Sequence, residues 1–107
     1  MPTVRSIPTY YSPISKQVLT VSSSSVGLTV PTTVQVRAVL ITVEHTVASS
    51  DTVRHWKTGD TPTTSEGQLL YSGDILEITN VSAISNSRFI ASGNDMKLMV
   101  EYYGGGV

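Results

Sequence analysis

The sequence contains no cysteine. That absence excludes a disulfide framework and thiolate metal sites, and it leaves stability independent of redox compartment. Charge is also scarce. Charged residues make up 14% of the chain, seven basic against eight acidic, for a formal net charge of −1. Nucleic-acid binding needs clustered Lys and Arg to neutralise phosphates, so no nucleic-acid partner is expected. An anionic membrane surface is not expected either. No apolar run reaches the length of a membrane span. The opening Met-Pro-Thr-Val-Arg-Ser-Ile-Pro has no apolar h-region, and no signal peptide is expected. Helical periodicity never runs for three turns without a Pro, a Gly or a β-branched cluster, so no helix is expected.

What remains is a chain of β-branched and aromatic segments separated by turn residues. The longest is Val34-Gln35-Val36-Arg37-Ala38-Val39-Leu40-Ile41-Thr42-Val43-Glu44. Its first half alternates and its second half is apolar on both sides, which predicts a strand covered on both faces or a bulge near Ala38-Val39. Other strands are expected from Gln17, at Leu28-Thr29-Val30, and at Val53-Arg54-His55-Trp56-Lys57. Four more are expected at Gln68-Leu69-Leu70-Tyr71, Ile75-Leu76-Glu77-Ile78-Thr79, Ser87-Arg88-Phe89-Ile90-Ala91 and Met96 onward. Ser92-Gly93-Asn94-Asp95 reads as a hairpin turn. At 107 residues the chain is one domain with a small core. The expected fold is all-β, a single antiparallel β-sandwich or small barrel of about seven or eight strands. Its core is expected from Leu19, Val21, Leu40, Ile41, Val43, Leu76, Ile78, Phe89, Leu98 and Val100.

The organisation expected around that domain is an extended arm over residues 1–16, the sandwich over residues 17–103, and a flexible Gly-rich tail over residues 104–107. Pro2, Pro8 and Pro13 keep the arm extended and out of a sheet interior. Val4, Ile7, Tyr10, Tyr11 and Ile14 give it apolar area that needs burying, either on a neighbouring subunit or along its own domain. These five side chains and Trp56 are the candidate partner-binding residues.

Catalytic chemistry has little to build on. His45 and His55 are the only histidines, with Ser49, Ser50 and Asp51 between them. No strand-to-helix nucleophile elbow surrounds any serine, and the histidines lack a third ligand nearby. Asp60, Glu66 and Asp74 lie on loops without a calcium-binding run, and turn formation accounts for them. No catalytic residue, metal or cofactor is expected. Trp56, Tyr71, Tyr102 and Tyr103 would suit either a sugar-stacking platform or, as aromatics in strands more often do, the core or an interface. Asn80-Val81-Ser82 matches a glycosylation acceptor, and with no secretion signal expected the match is read as coincidence.

The segments also stand in a recognisable order. Ala38-Val39-Leu40-Ile41-Thr42-Val43-Glu44 is followed by Val53-Arg54-His55-Trp56, Gly59 with Pro62-Thr63, and Gly67 with Leu69-Leu70. Then come Gly73-Asp74 with Ile75-Leu76-Glu77-Ile78, Arg88-Phe89-Ile90, and Leu98-Met99-Val100-Glu101-Tyr102-Tyr103. This order resembles a group of small virion proteins of tailed bacteriophages, over residues 34–103. His45 stands where that pattern usually has Gly, so the following turn is expected to differ. The resemblance implies a non-enzymatic β-sandwich protein of the particle, a capsid decoration (cement) protein or a head–tail component. It implies other virion proteins as partners, the major capsid protein foremost, a homo-oligomer, and residence in the virion after synthesis in the bacterial cytoplasm. A carbohydrate- or receptor-binding module remains the alternative from another class.

Overall fold

Alternating apolar side chains draw this chain into strands, and the register between them determines the architecture. The structure, a computed structural model, describes residue 7 and residues 11–104. In chain order the elements are β1 (Ser12–Val21), β2 (Val26–Gly27), β3 (Val36–His45), β4 (Thr52–Trp56), β5 (Gln68–Tyr71), β6 (Ile75–Ile78), α1 (Val81–Asn86), β7 (Arg88–Ser92) and β8 (Met96–Gly104). They form two antiparallel four-stranded sheets, ordered β1-β8-β3-β6 and β2-β7-β4-β5. The fold is the all-β sandwich that the sequence implies.

The pairing follows one rule. β1 pairs with β8, β2 with β7, β3 with β6, and β4 with β5. That is a single long antiparallel hairpin with β4 and β5 at its tip. Rolling the hairpin adds the β3–β8 and β4–β7 ladders and splits it into two facing sheets. This is the eight-stranded jelly-roll arrangement.

Between the sheets lies one core. It contains Leu19, Val21, Val39, Ile41, Val43, Val53, Phe89, Leu98, Val100 and Tyr102, all buried. Two expected core members are placed differently. Leu40 is only half-buried and lies on the outward side of β3, because its neighbours Val39 and Ile41 take the inward positions. Leu76 is half-buried and packs against the core from β6. Of the two readings open for this strand, a bulge is present, and it lies between Val36 and Ala38, just before the Ala38-Val39 position expected, where the pairing with β8 shifts. The extra residue turns both Val36 and Val39 toward the core.

Several expected boundaries move. β1 begins at Ser12 and not at Gln17, so the end of the expected arm belongs to the sheet. Pro13 is tolerated because β1 is an edge strand, and the register shifts between Pro13 and Ser15. Gly104 pairs with Ser12 and Val36, so it closes β8 and does not open a tail. A Cβ on Gly104 would run into the Gln35 carbonyl and the Ile14 side chain. The short strand expected at Leu28-Thr29-Val30 forms instead at Val26–Gly27, and Leu28 and Val30 pack on the core as loop residues.

Ser92-Gly93-Asn94-Asp95 is not a hairpin turn. It carries the chain from β7 in the second sheet to β8 in the first. A helix also forms where none was expected. Asn80 caps α1 by accepting a 3.0 Å hydrogen bond from the Ala83 N–H, and Ile84 anchors the turn in the core.

Candidate functional site

The two sheets have different outer surfaces. On the second sheet, Arg54 projects outward from β4. Its Nε donates to the Thr64 carbonyl at 3.2 Å and its Nη1 to the Gly67 carbonyl at 2.9 Å. The Ser92 hydroxyl also donates to the Thr64 carbonyl, at 3.5 Å. These bonds hold the loop of residues 57–67 against the sheet, and Pro62 within it is fully buried. Ile90, an outward residue of β7, is buried accordingly.

The first sheet carries no such roof among the described residues. Cross-strand register aligns its outward side chains into rows. Val18 lies beside Met99, Met99 beside Thr42, and Thr42 beside Ile75. The next row runs Lys16, Glu101, Leu40, Glu77. On the other side the row is Thr20, Lys97, Glu44. Val18 is 60% exposed and Ile75 is 45% exposed, at opposite edges of the sheet. Between them a groove of about 290 Å³ is lined by Lys16, Val18, Leu40, Thr42, Met99 and Glu101. This face therefore combines an apolar row with charges of both signs in the rows on either side.

The chemistry-bearing side chains are dispersed. His55 faces the core from β4 and stacks on Phe89, with ring centroids 5.7 Å apart. Its Nδ1–H donates to the Gln68 carbonyl at 3.2 Å, which leaves Nε2 to accept from Lys57 Nζ at 3.3 Å. Burial, then the nearby Lys57 charge, lower its pKa to about 4. His45 is exposed at the end of β3. Its Nδ1 lies 2.7 Å from Ser72 Oγ, which also accepts the His45 N–H at 3.3 Å. Asp51 Oδ2 accepts from Asn94 Nδ2 at 3.0 Å. The two histidines therefore serve separate local networks.

Asp60 and Asp74 act as turn residues. Asp60 Oδ2 accepts from the Thr58 hydroxyl at 2.7 Å, and Asp74 Oδ2 accepts from the Tyr71 N–H at 2.8 Å. Among the described residues, no group of three or more His, Cys, Asp or Glu could hold a metal ion. Among them also, no helix is long and apolar enough to cross a membrane.

Trp56, Tyr71, Tyr102 and Tyr103 do not assemble into a platform. Trp56 is half-buried on the outer side of the second sheet, beside Arg88. Tyr71 pairs with Thr52, at the other end of β4. Four residues of strand separate those ends by about 13 Å. Tyr102 is buried between the sheets, while half-buried Tyr103 donates its hydroxyl to Glu101 Oε1 at 2.9 Å.

Of the candidate arm residues, Val4 and Tyr10 lie outside the described residues. Ile7 is buried, Tyr11 is half-buried, and Ile14 packs against the core of its own domain. The row of Val18, Met99 and Ile75 escaped sequence reasoning because it exists only once β1, β8, β3 and β6 are in register. The single-strand hint was Val18, an apolar residue on the face of its strand opposite Leu19 and Val21. No protein-family model, curated protein or solved structure matches the chain.

Proposed function

We propose that this chain is a non-enzymatic structural subunit of a tailed-bacteriophage particle, a capsid decoration (cement) protein that stabilises the shell through protein–protein contacts. The observation that carries this reading is the asymmetry of the sandwich. One outer face is covered by the chain's own loop, and the other, among the described residues, leaves an apolar row open beside charged residues of both signs. A chain that acts by contact needs such a face, while among the described residues the titratable groups are dispersed. The jelly-roll strand order supports the reading by analogy, since viral capsid domains use it, although lectins use it too. The segment order from Ala38 to Tyr103 points the same way.

The test is co-sedimentation of the purified chain with purified phage heads. Saturable binding at a fixed ratio to the major capsid protein, with heads that then resist heat better, is the expected result. Absence of binding to heads, together with glycan-array binding that Trp56→Ala reverses, would replace this reading with a carbohydrate-binding module.

A further inference from the structure

We infer that the outward face of the first sheet is a two-fold self-association surface, and that its occupant is a second copy of this chain. The inference specifies one contact of the structural subunit proposed above. It rests on the order of charges across the sheet.

The strand order is β1-β8-β3-β6, so the centre of the sheet lies between β8 and β3. Consider a two-fold axis parallel to the strands and facing that centre. It places β8 of one copy over β3 of the other, and β1 over β6, with each row meeting the same row. Lys97 on β8 then lies over Glu44 on the partner's β3, and Glu44 over the partner's Lys97. In the apolar row Val18 lies over Ile75 and Met99 over Thr42. In the third row Lys16 lies over Glu77, and Glu101 lies over Leu40. Every Lys on this face meets a Glu, and the two most exposed apolar residues meet each other. Isologous interfaces require this self-complementarity. Stacked sheets separated by about 10 Å bring such side chains into reach.

The patch is modest. Four strands and three rows span on the order of 400 Å² per copy. That is about half of one side of a standard stable interface. The dimer is therefore reversible in dilute solution and is favoured where copies are concentrated.

Sedimentation velocity of the full chain without any capsid protein tests this, from about 10 μM to about 1 mM, where interfaces of this size exchange. The expected result is a concentration-dependent monomer–dimer equilibrium. Lys97→Glu and Glu44→Lys should each weaken it by about tenfold or more, because each places like charges in contact twice. An equal mixture of the two variants should associate at least as well as the unmodified chain, since each then meets its opposite. Val18→Asp, at an exposed position that folding tolerates, should weaken the dimer similarly. A monomer throughout the range would overturn the inference. So would a dimer indifferent to these substitutions, or a mixture no better than its components. Binding to heads by a strictly monomeric chain would defeat the dimer and leave the proposed function standing. A dimer that ignores heads would do the reverse.

Discussion

Tyr102 on β8 reaches Gln17 on β1, donating its hydroxyl to Gln17 Oε1 at 2.6 Å. The same oxygen accepts the Thr29 N–H at 3.2 Å, so one side-chain amide ties the edge strand, its neighbour and the loop after β2 together. Tyr102→Phe removes the donor while keeping the ring. It should cost about 0.5–1.5 kcal/mol, the net worth of one such bond. Burial raises the Tyr102 pKa from 10 to about 12. Stability from this group is fully present below pH 10 and is lost as pH rises through 12. Denaturant titrations of both proteins between these values should show the alkaline decline reduced in the variant.

His55 produces the opposite dependence at low pH. Its folded pKa is lowered to about 4, so its contribution is present above 6.5 and is lost as pH falls toward 4. Lys57→Met removes the neighbouring charge and should raise the His55 pKa, while burial still keeps it below 6.5. The imidazole shifts followed by NMR through an acid titration give both values directly. An unchanged pKa in Lys57→Met would show that burial alone sets it.

The inward and outward sides of the sandwich should respond differently to truncation. Phe89→Ala and Leu98→Ala remove fully buried groups and should cost about 3–5 and 2–5 kcal/mol respectively, from lost transfer energy plus a cavity. Leu40→Ala opens onto the outer groove, leaves no closed cavity, and should cost about 1 kcal/mol or less on the same transfer scale. Equilibrium unfolding in urea decides it, and a Leu40→Ala cost equal to that of Leu98→Ala would put Leu40 back in the core.

Leu40 also shows where the sequence stops being informative. Its strand is apolar on both sides, so alternation alone could not choose the inward set, and the bulge after Val36 changes the phase again. Strand positions were legible because Val, Ile and aromatic residues cluster between turn residues, and Gln68–Tyr71 falls where expected. The sheet that each strand joins was not legible. Gly93 and Asn94 make a tight turn whether the chain pairs back or crosses to the other sheet. The helix was missed because Val81–Asn86 is shorter than two turns, and its only local sign is the cap Asn80. The candidate contact face was the least legible part, since it belongs to the register of four strands and to no one of them.

Where the N-terminal segment ends and the sandwich begins can be measured by two truncations. Removing residues 1–16 takes away half of β1. It deletes the pairings of Ser12 with Gly104, Pro13 with Tyr103, Ser15 with Tyr102, and Lys16 with Glu101, along with the Ile14 side chain that packs on the core. Gln17, which holds Tyr102, would then begin the chain and fray. Removing residues 1–10 leaves β1 whole and loses buried Ile7, a side chain worth about 1.5–3 kcal/mol of burial before ordering costs. The shorter truncation should therefore melt cooperatively at a modestly reduced temperature. The longer one should lose several kcal/mol more and expose the β8 edge, with aggregation on heating. Thermal melts of both, beside the intact chain, separate these outcomes. Equal melting temperatures for the two truncations would mean that residues 11–16 add nothing to the sandwich, and the boundary would return to Gln17.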